Sequence, residues 1–165
     1  MAECLSYTRV YDVVPKPAWD AGGVSTATLS GEGYFGVKPS TAAVGIVAGL
    51  NSFQASGGYA DIDFGFWFEK GQFFVVEDGV KQTSGQSFND GDWFYIARAF
   101  RRVYYLRKPA GSEGPFVEPE RPEYDLPGQV VYSDSSTIST GELFLDTSFF
   151  SIGDTILDAT FADNL

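Results

Sequence analysis

The closest approach of this sequence to a catalytic pair is Asp61-Ile62-Asp63, two carboxylates at alternate positions. On a strand they would share one face, about 7 Å apart. Glycosidic-bond hydrolysis needs two carboxyls in separate roles, one as acid and one as nucleophile or base. The next alternate position is Gly65, followed by Phe66, and Glu69 falls later, in a turn. Asp61 and Asp63 are therefore expected to be solvent-facing residues of a half-exposed strand. Asp90 and Asp92, in Asn89-Asp90-Gly91-Asp92, offer oxygen ligands in a tight loop of the kind calcium prefers. The same residue types are also ordinary turn formers. Trp67, Trp93 and Tyr59 are aromatic surfaces on which a sugar ring can stack. Most aromatics of a β-rich domain belong to its core, so this reading competes with simple burial.

Other chemistries lack their residues. The 165-residue chain has no histidine, which removes Ser-His-Asp and Cys-His catalysis and the commonest zinc ligand. Cys4 is the single cysteine, so no disulfide forms within the chain. The expectation is a chain that is not an enzyme and has no cofactor beyond the weak calcium possibility at Asp90 and Asp92. The formal charge of −11 is opposite in sign to a phosphate-neutralising surface, so nucleic acid is not an expected partner. Residues 1–20 show no apolar leader core, and no apolar run is long enough to span a bilayer. Neither a signal peptide nor a membrane partner is expected.

The elements that would position these residues read as strands. Aromatics make up 16% of the chain, which favours sheets. Val10 to Val14 forms a possible short strand within an N-terminal segment, residues 1–22, in which Trp19 packs on or beside the domain. Period-two or apolar runs then recur at 24–29, 34–37, 42–50, 61–68, 73–76, 93–98, 102–106, 129–133, 143–145 and 155–161. Glycine-rich turns separate them, with Asp78-Gly79 the favoured pair for a tight hairpin. The 42–50 run, Ala-Ala-Val-Gly-Ile-Val-Ala-Gly-Leu, reads as a strand buried on both faces, because its glycines weaken a helix. About eleven short strands at close spacing mean a sandwich or barrel, here a single domain over 23–165.

Residues 108–127 interrupt this rhythm. They hold five of the eight prolines and separate two runs that look like hairpin partners. About twenty residues stand where two would suffice. Proline at this density favours extended polyproline-like backbone. The segment is expected to be either a floppy surface loop or an extended assembly arm. In the second case Pro109, Pro115, Pro119 and Pro122 would stiffen it, and Phe116, Val117, Tyr124 and Leu126 would anchor it on a neighbour.

The stretch from Asp61 to Ser133 resembles the concanavalin-like lectin and glucanase jelly roll, also used by SPRY domains. The resemblance is carried by IDFGFWFEKGQFFVVEDGV, then Phe88-Asn89-Asp90-Gly91-Asp92, Phe94-Tyr95-Ile96, Val103-Tyr104-Tyr105 and Gly128-Gln129-Val130-Val131-Tyr132. It covers a little under half the chain and implies an all-β, two-sheet antiparallel sandwich. The glucanases of this fold carry a third carboxylate near the alternate pair, and this chain lacks it. Where the last hairpin should turn at Asn-Gly, the proline-rich insertion stands instead. Such modules are frequent in bacteriophage virion proteins. The resemblance thus implies a structural virion component (capsid decoration, head fibre or tail appendage) made in the host cytoplasm. Its expected partners are other virion proteins or copies of itself. The alternative it implies is a carbohydrate-binding module that recognises host-surface glycans.

Overall fold

The computed structural model describes residues 16–53, 57–113, 116–118, 121–134 and 141–162. Fourteen strands lie among them: β1 (Ala21–Leu29), β2 (Gly33–Pro39), β3 (Ile46–Asn51), β4 (Phe64–Glu69), β5 (Gln72–Glu77), β6 (Val80–Lys81), β7 (Gln86–Ser87), β8 (Trp93–Ala99), β9 (Arg102–Lys108), β10 (Phe116–Glu118), β11 (Arg121–Leu126), β12 (Gln129–Asp134), β13 (Leu143–Phe149) and β14 (Ile156–Ala162). The larger sheet runs β1-β13-β3-β4-β5-β6, with β7 also paired to β5. The smaller runs β12-β9-β8-β2-β14. All pairings are antiparallel. The protein is an all-β sandwich.

Alternation along the strands explains the layering. In β4, Phe66 and Phe68 enter the core between the sheets, while Gly65, Trp67 and Glu69 take the outer face. In β8, Phe94 and Ile96 point inward and Trp93, Tyr95 and Ala97 outward. In β9, Val103 and Tyr105 are inside and Tyr104 and Leu106 outside. Phe66 bridges the layers edge-to-face, with ring centroids 5.1 Å from Phe94 and 5.5 Å from Tyr105 of the opposite sheet. Truncating it to alanine would cost about 3–5 kcal/mol. Of the 42–50 run only the part from Ile46 forms a strand, β3, buried along its whole length; residues 42–45 turn instead and expose Val44, which corrects the expected start.

Three expectations need correction. The strand expected from Asp61 starts at Phe64, because Tyr59–Asp61 forms a 3-10 turn. The Asp63 carboxylate accepts hydrogen bonds from the Ser52 backbone N–H (2.9 Å) and hydroxyl (2.7 Å). Asp61 and Asp63 therefore do not share a strand face. The described part of the proline-rich segment is not polyproline-like. Its β10 and β11 pair as an antiparallel hairpin with Phe116 opposite Leu126 and Val117 opposite Asp125. Backbone pairing outweighs the extended preference of Pro122, which sits within β11. The possible strand at Val10 to Val14 lies outside the described residues.

Three two-residue hairpin turns place both central residues at positive φ: Lys70-Gly71, Asp78-Gly79 and Phe100-Arg101. This twist matches that of the flanking strands. At the far end of the sandwich, buried Arg98 gives each of its three nitrogens to a backbone carbonyl, those of Leu29, Gly31 and Gly141, all at 2.7 Å. It closes that end by charge-assisted bonds to loops of both sheets.

Candidate functional site

Two of the three aromatics expected to meet a sugar come together on the outer face of the larger sheet. β4 sets Trp67 outward, and the 3-10 turn brings Tyr59 to it, with ring centroids 4.9 Å apart. Trp19 completes the triangle, 4.9 Å from Trp67 and 5.0 Å from Tyr59. Beneath them lie buried Val47, Ile62 and Val76. The incoming chain is held there by the Ala18 N–H on the Phe150 carbonyl (3.0 Å), and the Phe150 N–H donates to Gly45 (2.9 Å). Gly45 must be glycine, since a Cβ there would lie 2.8 Å from Phe150 Cβ and 3.1 Å from the Trp19 ring.

These residues form an open cleft of about 220 Å³, lined by Trp19, Val44, Trp67, Glu69, Lys70 and Phe150. The Trp67 indole N–H donates to Glu69 Oε2 (3.0 Å), which fixes the ring. Glu69 Oε1 takes the Lys81 ammonium at 3.1 Å. That ammonium also lies 4.3 Å from the Trp67 ring centroid. The Glu69 charge is therefore met, and Lys70 at the rim adds an exposed ammonium. An aromatic wall with a few placed polar groups is the usual composition of a small-ligand site.

Trp93 lies elsewhere. It projects from the smaller sheet, on the opposite face of the sandwich, stacked on Tyr95 at 5.8 Å with Lys38 5.0 Å from its ring. Tyr95 in turn lies across Gly36, its ring where a side chain at that position would stand. Burial pushes the Tyr95 hydroxyl up to about 12, with neighbouring Tyr34 adding to the effect. Trp93 and Trp67 cannot serve one ligand.

The acidic turn is built as a brace. Asp90 Oδ1 accepts from the Thr41 N–H (3.0 Å) and hydroxyl (2.7 Å), and these bonds hold its carboxyl below the ordinary value. Buried Asp92 accepts from Arg107 Nε (3.0 Å) and Nη2 (2.6 Å), from the Asn89 N–H (3.1 Å) and from the Ala110 N–H (2.8 Å). The Asp90 and Asp92 carboxylates, named above as calcium candidates, are engaged by these protein donors. Among the described residues no three acidic, cysteine or histidine side chains gather as a metal set.

Of the arm residues, exposed Pro109 starts a turn, its carbonyl accepting the Ser112 N–H at 3.0 Å. Leu126 is buried on its own domain, against the outward-facing cluster of Tyr95, Ala97, Ala99, Tyr104 and Leu106. Leu126, expected as an anchor on a neighbour, is seated on its own sheet. Phe116, Val117, Pro122 and Tyr124 have backbone positions in β10 and β11, while Pro115 and Pro119 lie outside the described residues.

Sequence reasoning missed Trp19, Phe150 and Lys70 as parts of the cleft. The first two are far apart in sequence and carry no shared local pattern. The only signal was Lys70-Gly71 at a hairpin tip beside the Trp67 strand. No helix among the described residues is long and apolar enough to cross a membrane. No family model matches the chain, and no curated protein or solved structure matches it.

Proposed function

We propose that this chain is a non-enzymatic structural component of a bacteriophage particle, and that the cleft beside Trp67 is its contact with surface glycans. The observation that carries the recognition half is the cleft itself. It has a Trp19–Trp67 wall, an indole oriented by Glu69, and a volume of about 220 Å³ that suits a single sugar ring. The non-enzymatic half is supported by the Asp63 carboxylate's bonds to Ser52 and by the four donors spent on Asp92.

The virion setting rests on the resemblance of residues 61–133 to sandwich modules of phage particles. An edge-strand feature favours contact with other copies or other virion proteins. β1 and β14 are terminal strands of their sheets, and they expose Val24, Leu157 and Phe161. Among the described residues these are sheet edges, and such edges are ready templates for a neighbouring chain.

A glycan array probed with the purified chain tests the recognition half. It should return a defined sugar class, and Trp67→Phe should weaken the signal while Trp93→Phe leaves it intact. Loss on Trp93→Phe alone would place recognition on the other sheet. Mass spectrometry of purified particles tests the setting, and absence of the chain from intact virions would overturn it.

A further inference from the structure

We infer that the cleft selects a pyranose bearing a carboxylate, such as a hexuronate unit of an acidic polysaccharide, with Lys70 as the residue that reads the acid. The inference rests on the glycan reading above and adds the ligand class to it.

The charge balance of the cleft carries the argument. Glu69 is matched by Lys81 at 3.1 Å. Asp154, behind Val44, spends its carboxylate on three backbone N–H groups: Val44 (2.7 Å), Gly45 (3.2 Å) and Ser151 (2.9 Å). Lys70 has no carboxylate partner among the described residues. One uncompensated cation therefore stands at the rim of an aromatic wall, on a chain whose net charge is −11. A neutral sugar would use only the wall. A sugar carboxylate would use both the wall and the ammonium.

The hairpin tip fixes where Lys70 stands. Its φ is +49°, in the left-handed region, at a turn position where asparagine, aspartate or glycine is the low-cost choice. A long cationic side chain is held there at a conformational cost, by a backbone bond from the Lys70 N–H to the Ala43 carbonyl (2.8 Å).

The test is titration of the full chain with a hexuronate oligosaccharide and with its neutral hexose counterpart, followed by tryptophan fluorescence. Lys70→Asn removes the charge and suits the positive φ, so it should fold at least as well as the parent. The expected result is at least tenfold tighter binding of the acidic sugar at low salt. That preference should be lost in Lys70→Asn and weakened by added salt. Equal binding of acidic and neutral sugars, or a preference that survives Lys70→Asn, would overturn the acid selectivity and leave the glycan reading standing. No binding of either sugar, with none on the array, would remove both.

Discussion

Arg107 and Asp92 form the closest ion pair among the described residues, Nη2 to Oδ2 at 2.6 Å, with Asp92 only 1% exposed. The pair joins the end of β9 to the start of β8, and the remaining bonds of Asp92 reach Asn89 and Ala110. It thus fixes the Asn89–Asp92 turn between the two sheets at one end and the base of the proline-rich insertion at the other. Asp92→Ala would leave a half-buried guanidinium and two N–H groups without their acceptor, at a cost of about 2–4 kcal/mol. A urea midpoint unchanged in that variant would refute the brace.

The same residue sets an acid limit. Burial alone would raise its pKa, but the Ala110 and Asn89 N–H groups and Arg107 more than offset that, so it sits below 3.8 in the fold. The unfolded chain therefore binds this proton more readily than the native one. Its stabilisation is fully present above the ordinary value and is lost as pH falls through the lowered native value. The fall in stability on acidification should be shallower in Asp92→Asn than in the parent, measured by denaturant titrations from neutral pH downward.

The β8–β9 turn carries two residues in the left-handed region, Phe100 at φ +50° and Arg101 at φ +62°. Phe100 is held there by its N–H on Glu32 Oε1 (3.0 Å) and by packing beside the outward cluster. The exposed Arg101 has no such packing role. Arg101→Gly should stabilise the protein by roughly 0.5–1 kcal/mol, the relief of left-handed strain less the backbone entropy of glycine. A lower melting temperature in this variant would show that the Arg101 side chain contributes more than its conformation costs.

The hairpins were legible because glycine marks positive φ at Gly71 and Gly79, and because apolar runs flank each turn. The Phe100-Arg101 turn was legible only from its flanking runs. Strand faces were not, because Tyr95, Ala97, Tyr104 and Leu106 are as apolar as Phe94, Ile96, Val103 and Tyr105 on the opposite face. Both sets are buried, so alternation carried no polar signal. That ambiguity also hid the seat of Leu126, and the prolines then read as an extended arm. The cleft was half legible: Trp67 and Tyr59 were identified as sugar platforms, but their meeting with Trp19 depends on long-range packing.

Asp146 is buried beside Asn51, whose Nδ2 donates to Oδ2 at 2.9 Å. Burial pushes its carboxyl above 3.8. The Asp61 charge adds to that, and the bonds from Asn51 and the Thr147 N–H only partly offset it. Here the native state holds the proton more tightly than the unfolded chain. The contribution is largest below the ordinary value and declines as pH rises through the raised native value. Asp146→Asn removes that decline, so it should melt higher than the parent at pH 7 and converge with it in acid. An equal melting-temperature difference at every pH would show that the effect is not ionisation.

Leu126 decides what the insertion does for the fold. It is 5% exposed, at the end of β11, and packs on the outer face of the smaller sheet with Tyr104 and Leu106. Register places Phe116 opposite it, so the hairpin both starts and ends at this seat. A loop whose base is buried this way contributes to stability, whereas a loop joined only through exposed residues does not. Leu126→Ala should therefore cost about 2–3 kcal/mol, a large-to-small change near the rim of a core. Replacing residues 109–127 with Asn-Gly should cost at least as much, because it uncovers Leu106 and also removes the Ala110 bond to Asp92. Both variants are read by urea unfolding, with circular dichroism to confirm that the sheet remains. If the shortened chain is as stable as the parent while Leu126→Ala is not, Leu126 merely fills a gap that its own loop creates. If both are as stable as the parent, the insertion is dispensable to the fold, and a role for it would have to lie in partner contacts.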